Sequence, residues 1–177
     1  MPIVDATRSA LLLIDFQSRL MPAIHEAEAR SRNAGRLLTA AEMLGIPVVA
    51  TEQNARGLGT TVAALPVRAE QVVAKQSFDA CAADGFLARL PAGAQLIVAG
   101  CEAHVCVLQT VLGLMAAGRT VFVVADAVGS RHPANREAAL QRMARHGAEV
   151  VTTEMVVFEW LGSAEHPRFR DAVALIK

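Results

Sequence analysis

The chain has 177 residues, with 17 basic and 17 acidic side chains and a formal net charge of zero at pH 7. It is 53% hydrophobic and 19% charged, so it can form the core of an ordinary domain, and we expect residues 1–177 to be a single domain. Its neutral charge gives no sign of nucleic-acid or anionic-membrane binding. No apolar run approaches the ~20 residues of a membrane span.

The composition also bears on location and assembly. The opening segment, MPIVDATRSALLLIDF, does not resemble a signal peptide, because its apolar stretch is short and an Asp ends it. Three cysteines, an odd number, favour reduced thiols, and we expect a cytoplasmic protein. A neutral, apolar-rich chain with few charges fits a homo-oligomer that buries surface between subunits, although a compact monomer could share this composition.

Apolar, strand-like runs alternate with helix-like stretches along the chain. Strands are predicted at residues 10–15, 46–51, 71–75, 94–100, 120–126 and 148–153. Helices are predicted at residues 34–45, about 104–117 and 134–147, and two short helices are expected at the end. This alternation favours an α/β fold, in which helices cover both faces of a six-stranded, mainly parallel sheet as three α/β/α layers.

Three reactive side chains are predicted at one edge of that sheet, since ligands in open α/β folds bind beyond the carboxyl ends of the strands. Asp15 ends the first strand, Lys75 ends the third, and Cys106 follows the fourth in the segment GCEAHVC. Lys75 is unusual because the chain has only one other lysine, Lys177. Chance in an arginine-rich chain would explain this, but so would a need for a compact ammonium in place of a planar guanidinium.

An Asp, a Lys and a Cys at one edge are sufficient for acyl transfer through a thioester. A helix N-terminus and the Lys75 ammonium would lower the pKa of the Cys106 thiol. Asp15 could accept the thiol proton and return it to a leaving group, while free backbone N–H groups after Gly100 could bind the oxyanion. Each residue also has a simpler interpretation, Asp15 as a turn former and Cys106 as a small buried hydrophobe.

The segments LLLIDFQ and VAGCEAHVCVLQTVLGLMAAG, with the Lys after the third strand, resemble the isochorismatase-like cysteine hydrolases, which include nicotinamidases and N-carbamoylsarcosine amidohydrolase. The resemblance covers roughly residues 8–160. Within that family, the isochorismatase-domain-containing subgroup is the most similar, as four segments indicate: TEQNARGLG, KQSFDA, ADAVGSR and HPRF. The resemblance implies a six-stranded parallel sheet, a homo-oligomer, Asp15 as general base, Lys75 as catalytic lysine and Cys106 as nucleophile. It also implies a cis peptide between Cys101 and Glu102, with backbone N–H groups of Glu102 and Cys106 facing the oxyanion.

Departures from that family narrow the expected chemistry. Nicotinamidases carry an Asp-x-His pair after the second strand, whereas TEQNARGLG contains no histidine, so we expect no metal, no cofactor and a substrate other than nicotinamide. Isochorismatases that cleave a vinyl ether typically lack the nucleophilic cysteine, so Cys106 favours hydrolysis of a C–N bond in a small non-peptide amide. An ether hydrolase and a catalytically idle scaffold stay as alternatives.

Other site types have weaker support. A zinc site could be suggested by Cys101, His104 and Cys106, but structural zinc sites usually have four ligands in paired spacings. Neither G-x-G-x-x-G nor a phosphate-binding GxxxxGK[ST] loop follows the first strand. Residues next to the trio in sequence could contact a small-molecule substrate, although core packing is the simpler expectation for the two phenylalanines; these residues are Phe16, Gln17, Gln53, Phe78 and His104.

Overall fold

The fold is a six-stranded parallel sheet between two layers of helices, as the sequence predicted. The computed structural model describes residues 3–177. The strands are β1 Ser9–Ile14, β2 Val48–Gln53, β3 Val72–Lys75, β4 Gln95–Cys101, β5 Thr120–Gly129 and β6 Glu149–Val151. Their order across the sheet is β3-β2-β1-β4-β5-β6, and every pair is parallel. The chain order reverses between β1 and β4, which is where ligands bind in such sheets.

The helices are α1 Ala27–Met43, α2 Ala55–Leu58, α3 Leu108–Ala116, α4 Pro133–Arg145, α5 Thr153–Leu161 and α6 Phe169–Ile176. The two expected short helices at the end of the chain are α5 and α6. Helix α1 begins at Ala27, seven residues before the prediction at residue 34. Its first two turns are polar, with ion pairs from Arg30 to Glu26 and from Arg32 to Glu28, so they lack the apolar periodicity on which the prediction depended.

Two hydrophobic clusters lie on opposite faces of the sheet. Leu11 and Leu13 of β1 face the cluster that includes α1 and α5, while Leu12 and Ile14 face the cluster that includes α3 and α4. Every residue of β1 is buried, which explains why its sequence is continuously apolar instead of alternating. The sheet core therefore holds the carboxyl end of β1 rigidly between two helical layers.

Strands β2 and β5 extend further toward the carboxyl edge than predicted. β2 includes Glu52 and Gln53 because they pair with Ala74 and Lys75 of β3. β5 continues to Gly129 through a register shift opposite β4, which pairs Cys101 with Gly129. These extensions bring the loops after β2, β3, β4 and β5 alongside the end of β1.

Among residues 3–177, none of the helices combines the length and apolar character needed to cross a membrane.

Candidate active site

Asp15 is the first residue beyond β1, and β2 holds it at two points. Its backbone is in the left-handed region, with φ of 52°, a conformation that Asp tolerates better than most residues. Its N–H donates to the carbonyl of Thr51 at 3.2 Å, and the Thr51 hydroxyl donates to Asp15 Oδ1 at 2.6 Å. The carboxylate is therefore oriented by the neighbouring strand and does not swing freely.

Lys75 is the last residue of β3, and its ammonium is paired with that carboxylate. Nζ lies 2.7 Å from Asp15 Oδ2, and both side chains are 0% exposed. Nζ also donates to the carbonyls of Ser77 and Phe78, at 3.1 and 3.4 Å. An ammonium has three protons, so these three acceptors satisfy it and make it a fixed positive charge at the centre of the site.

Cys106 completes the predicted trio from a π-helical turn, Ala103–Val107, that leads into α3. The residue is buried, and burial is the largest cause that raises the pKa of its thiol to about 12. The negative charge of Asp15 and a hydrogen bond to Asp15 raise this pKa further, whereas the Lys75 charge lowers it. The expected depression of the thiol pKa is therefore wrong, because burial and Asp15 together outweigh Lys75.

A glycine permits the close approach of β1 and β4 that brings Asp15 and Cys106 together. Gly100 pairs with Ile14 in the sheet and has a φ of +156°. A Cβ at Gly100 would lie 2.5 Å from the Ile14 carbonyl oxygen and 2.6 Å from the Ile14 Cβ. Only glycine fits there without a backbone shift, so Gly100 sets the spacing between the two strand ends that carry the trio.

The turn after β4 contains a cis peptide bond between Cys101 and Glu102, at the position that the family resemblance implies. The Glu102 carboxylate anchors this turn by accepting from the backbone N–H of Arg131 at 3.0 Å and from its Nε at 3.1 Å. Burial raises the pKa of Glu102, but these hydrogen bonds and the Arg131 charge outweigh it and lower the pKa overall. Glu102 is thus a charged anchor beside the thiol.

The remaining predicted residues fall into two groups. Phe16 is packed in the hydrophobic core, and Gln17 is fully buried beneath the site. Gln17 accepts from the N–H of Gln53 at 2.9 Å and donates to its carbonyl at 3.1 Å, so its amide holds the turn after β1 against β2. For Phe16 this is the core packing that the sequence made the simpler expectation, and for Gln17 the burial gives the amide a structural role. Phe78 is 49% exposed, and its own carbonyl contacts Lys75, so its ring is available near the site.

His104 is half-buried on the β5 side of the turn. Its Nδ1 lies 3.0 Å from the Ser130 hydroxyl and its Nε2 lies 3.4 Å from the Asn135 amide. Gln53, on the β2 side, is half-buried as well. A polar side chain therefore lies on each side of Cys106, the His104 imidazole toward β5 and the Gln53 amide toward β2.

Sequence reasoning missed Thr51 and Arg131. Thr51 begins the polar segment TEQN near the end of β2, and its position at a strand end was a usable signal. Arg131 follows β5, but nothing in its sequence position showed that it would anchor Glu102. Within residues 3–177, there is no group of three or more His, Cys, Asp or Glu side chains that could hold a metal ion.

A surface hollow of about 600 Å³ lies elsewhere on the protein. It is lined by Ser9, Pro47 and Ala94, which begin or precede β1, β2 and β4, so it occupies the amino-terminal edge of the sheet. The reactive trio lies at the opposite edge, and the chemistry of the trio, more than the size of the hollow, identifies the candidate site.

Comparison with known proteins places this arrangement in a family. Residues 9–155 match the model of the isochorismatase domain. Isochorismatase domain-containing protein 1 of Salmo salar is 39% identical over 99% of this chain, and isochorismatase domain-containing protein 2 of Danio rerio is 36% identical over 95%. The chain spans 62% of the length of the salmon protein and 86% of the zebrafish protein.

Solved structures share the whole fold. MAR1 ribonuclease from Caenorhabditis elegans has a TM-score of 0.89 and 34% identity, covering 99% of this chain and 92% of that one. YcaC from Pseudomonas aeruginosa, with hexane-2,5-diol and covalent acrylamide, has a TM-score of 0.89 and 26% identity, covering 98% and 91%. YcaC of Escherichia coli, an octameric hydrolase of unknown specificity, has a TM-score of 0.86 and 27% identity, covering 99% and 88%. With its fold, its strand-end trio and a domain match over most of its length, this chain belongs to the isochorismatase family.

Proposed function

We propose that the protein is a cysteine-dependent hydrolase that cleaves the C–N bond of a small non-peptide amide through a thioester intermediate. The observation that carries the proposal is the buried, hydrogen-bonded pair of Asp15 and Lys75 in contact with the Cys106 thiol. A buried carboxylate, ammonium and thiol in one cluster are costly to fold unless each is paired. Such clusters are also typical of catalytic sites.

The first half of the reaction forms the thioester. Because the pKa of Cys106 is raised to about 12, the resting residue is a thiol, and Asp15 must take its proton as the sulfur attacks. The new S–C bond converts the amide carbonyl to a tetrahedral oxyanion. Asp15 then returns the proton to the leaving nitrogen as the C–N bond breaks, which releases an amine or ammonia.

The second half releases the acid and restores the thiol. Asp15 accepts a proton from water, and the resulting hydroxide attacks the thioester carbonyl. The C–S bond breaks, and the proton passes from Asp15 to the sulfur. Lys75 keeps its three acceptors throughout, so in this mechanism it orients Asp15 and stabilises negative charge on sulfur without itself transferring a proton.

In this proposal the backbone N–H groups of Glu102 and Cys106 hold the oxyanion. Both belong to the turn between β4 and α3, and the Glu102 side chain fixes that turn to Arg131. Preorganised donors of this kind contribute about 3–4 kcal/mol each to transition-state stabilisation in acyl-transfer enzymes.

Substrate contacts are proposed for the side chains that flank the trio and retain exposure, Gln53, Phe78 and His104. Phe16 and Gln17 are assigned supporting roles, because their side chains are buried. The reaction needs no metal or cofactor. We further propose a cytoplasmic homo-oligomer formed from one domain per chain, without a nucleic-acid or membrane partner; the octameric state of E. coli YcaC supports the assembly.

The covalent acrylamide in YcaC of P. aeruginosa supports the proposed chemistry, because acrylamide is both a primary amide and an electrophile that reacts with thiolates. Three other functions compete with the proposal. These are ether hydrolysis, a catalytically idle scaffold, and the RNA cleavage named for the C. elegans relative. A formal charge of zero and a buried trio favour a small substrate over RNA.

The test is the iodoacetamide labelling rate of each cysteine against pH, measured by mass spectrometry on the wild type, Asp15→Asn and Lys75→Ala. We expect Cys106 to react faster than Cys81 and Cys101 near neutral pH, because Asp15 takes its proton, and we expect both variants to change the pH profile of Cys106 labelling. A panel of small amides, a vinyl ether and RNA would then be assayed against the wild type and Cys106→Ser. An accessible Cys106 that is indifferent to both variants would favour the scaffold instead.

A further inference from the structure

We infer that Thr51 is a positioning residue for Asp15, holding the carboxylate so that one oxygen is committed to Lys75 and the thiol can use the other. This inference rests on the proposed function, since it assigns Thr51 a role in the proton transfer between Asp15 and Cys106. Thr51 itself needs no contact with substrate.

The two carboxylate oxygens of Asp15 have different partners. Oδ2 accepts from the Lys75 ammonium at 2.7 Å, and Oδ1 accepts from the Thr51 hydroxyl at 2.6 Å. All three side chains are buried, so water cannot substitute for either donor. With both oxygens held, rotation of the carboxylate about its terminal bond is blocked.

The backbone adds a second restraint from the same residue. The Thr51 carbonyl accepts the N–H of Asp15 at 3.2 Å, so Thr51 fixes both the main chain and the side chain of the base. Two residues further along each segment, the amide of Gln17 exchanges hydrogen bonds with the backbone of Gln53. This double clamp between the ends of β1 and β2 stabilises the left-handed backbone of Asp15, a conformation that surrounding contacts must maintain.

The hydroxyl donates to a carboxylate in a buried site, where such hydrogen bonds are strong. Without it, Oδ1 of Asp15 loses its hydroxyl donor and the carboxylate can turn about its terminal bond. Proton transfer between Asp15 and Cys106 would then be slower in a folded protein. A structural role for Thr51 would change stability only, whereas a positioning role changes Cys106 reactivity, and only while residue 15 is a carboxylate.

The experiment measures Cys106 labelling by iodoacetamide against pH in Thr51→Val, Thr51→Ser and Thr153→Val, beside the wild type and Asp15→Asn. Thr51→Val preserves the shape of the side chain and removes the hydroxyl, so the fold should persist, as thermal unfolding would verify. Thr153→Val is the matched control, because the buried Thr153 hydroxyl donates to a different carboxylate, Asp126, at 3.0 Å.

We expect Thr51→Val to slow Cys106 labelling at neutral pH by roughly tenfold, because a misplaced base transfers a proton less efficiently. Thr51→Ser and Thr153→Val should keep the wild-type rate, and Thr51→Val should have no further effect when it is combined with Asp15→Asn. If Asp15→Asn slows labelling at neutral pH but Thr51→Val does not, the inference about Thr51 is overturned and the proposed function stands. If Asp15→Asn leaves the rate unchanged, the proposed function fails first, and the inference fails with it.

Discussion

The ammonium of Lys75 lies 2.7 Å from Asp15 Oδ2, and neither side chain is exposed to solvent. Two charges held out of water in this way act strongly on a neighbouring buried group, because little solvent screens them. Cys106 is that group: its pKa is raised by the Asp15 charge and lowered by the Lys75 charge. The pair therefore acts on the thiol as a dipole with opposing effects, and the two effects can be separated by mutation.

Replacing Lys75 with arginine is expected to keep the fold and abolish most of the activity. The site gives a compact ammonium three acceptors in a buried space, and a planar guanidinium cannot reproduce that geometry. Misplacement of the base by about 1 Å costs about a hundredfold in rate. Turnover of the amide identified by screening and Cys106 labelling would be compared with Lys177→Arg, the same change at the other lysine. Full activity in Lys75→Arg would show that its lysine identity is incidental.

Asp15→Asn is expected to lower the pKa of Cys106 below about 12 while abolishing hydrolysis. The Asp15 charge and its hydrogen bond to the thiol both raise this pKa, and the substitution removes the negative charge while burial persists. The alkaline rise in Cys106 labelling should therefore move to lower pH. Lys75→Met should move it in the opposite direction.

Cys81 provides an internal control for that titration. Burial and the Asp79 charge raise its pKa to about 12 as well, but Asp15 is not among the causes. Its labelling profile should be the same in wild type, Asp15→Asn and Lys75→Met. A shift of both cysteines together would indicate a general loosening of the structure and would refute a specific coupling between Asp15 and Cys106.

The three members of the trio could be predicted from the sequence because parallel strands bring their carboxyl ends to one edge. Asp15, Lys75 and Cys106 each follow a recognisable apolar run, so counting strands was enough to place them near one another. Thr51 lies at the same edge, but its residue type carries no strong chemical signal. Its importance depends on the direction of one hydroxyl, which no sequence pattern specifies.

The raised pKa of Cys106 shows a different limit of sequence reasoning. The sequence identified a nearby cation and a helix start, both of which lower a thiol pKa, but the largest influence is burial. Desolvation depends on how several elements close around one atom, here the ends of β1 and β3 and the turn before α3. The Glu102–Arg131 pair is similar, because it joins loops after β4 and β5 that only the register of those strands brings together.

Gly100→Ala is expected to destabilise the protein by roughly 3 kcal/mol or more, because its Cβ would overlap backbone and Cβ atoms of Ile14. Gly118→Ala is the matched control. Gly118 has a φ of +74° and no atom within 4 Å of its would-be Cβ, so only the backbone cost of about 1–2 kcal/mol applies. Denaturant unfolding of both variants measures the difference. Equal destabilisation would mean that the two strand ends can separate to accommodate a methyl group.

Arg131→Met is expected to reduce stability at neutral pH and to have little effect in acid. Arg131 holds the pKa of Glu102 below its ordinary 4.5, so the pair stabilises the fold above that pH, and the contribution is lost as the pH falls through the lowered value. In the variant the backbone N–H of residue 131 still donates to Glu102, but the side-chain hydrogen bond and the positive charge that lower the pKa are lost, so burial is opposed less strongly. The difference in unfolding free energy between wild type and variant should therefore shrink as the pH falls below the usual Glu range.

Arg168→Met is the control for that experiment, because Arg168 pairs with Asp171 at 3.2 Å with both side chains about half exposed. Exposed pairs of this kind contribute about 0–1 kcal/mol, so its effect should be small at every pH. Since Glu102 lies in the turn that carries the proposed oxyanion donors, Arg131→Met should also slow turnover. A stability difference that is independent of pH would show that Arg131 acts through packing of its side chain and not through the charge of Glu102.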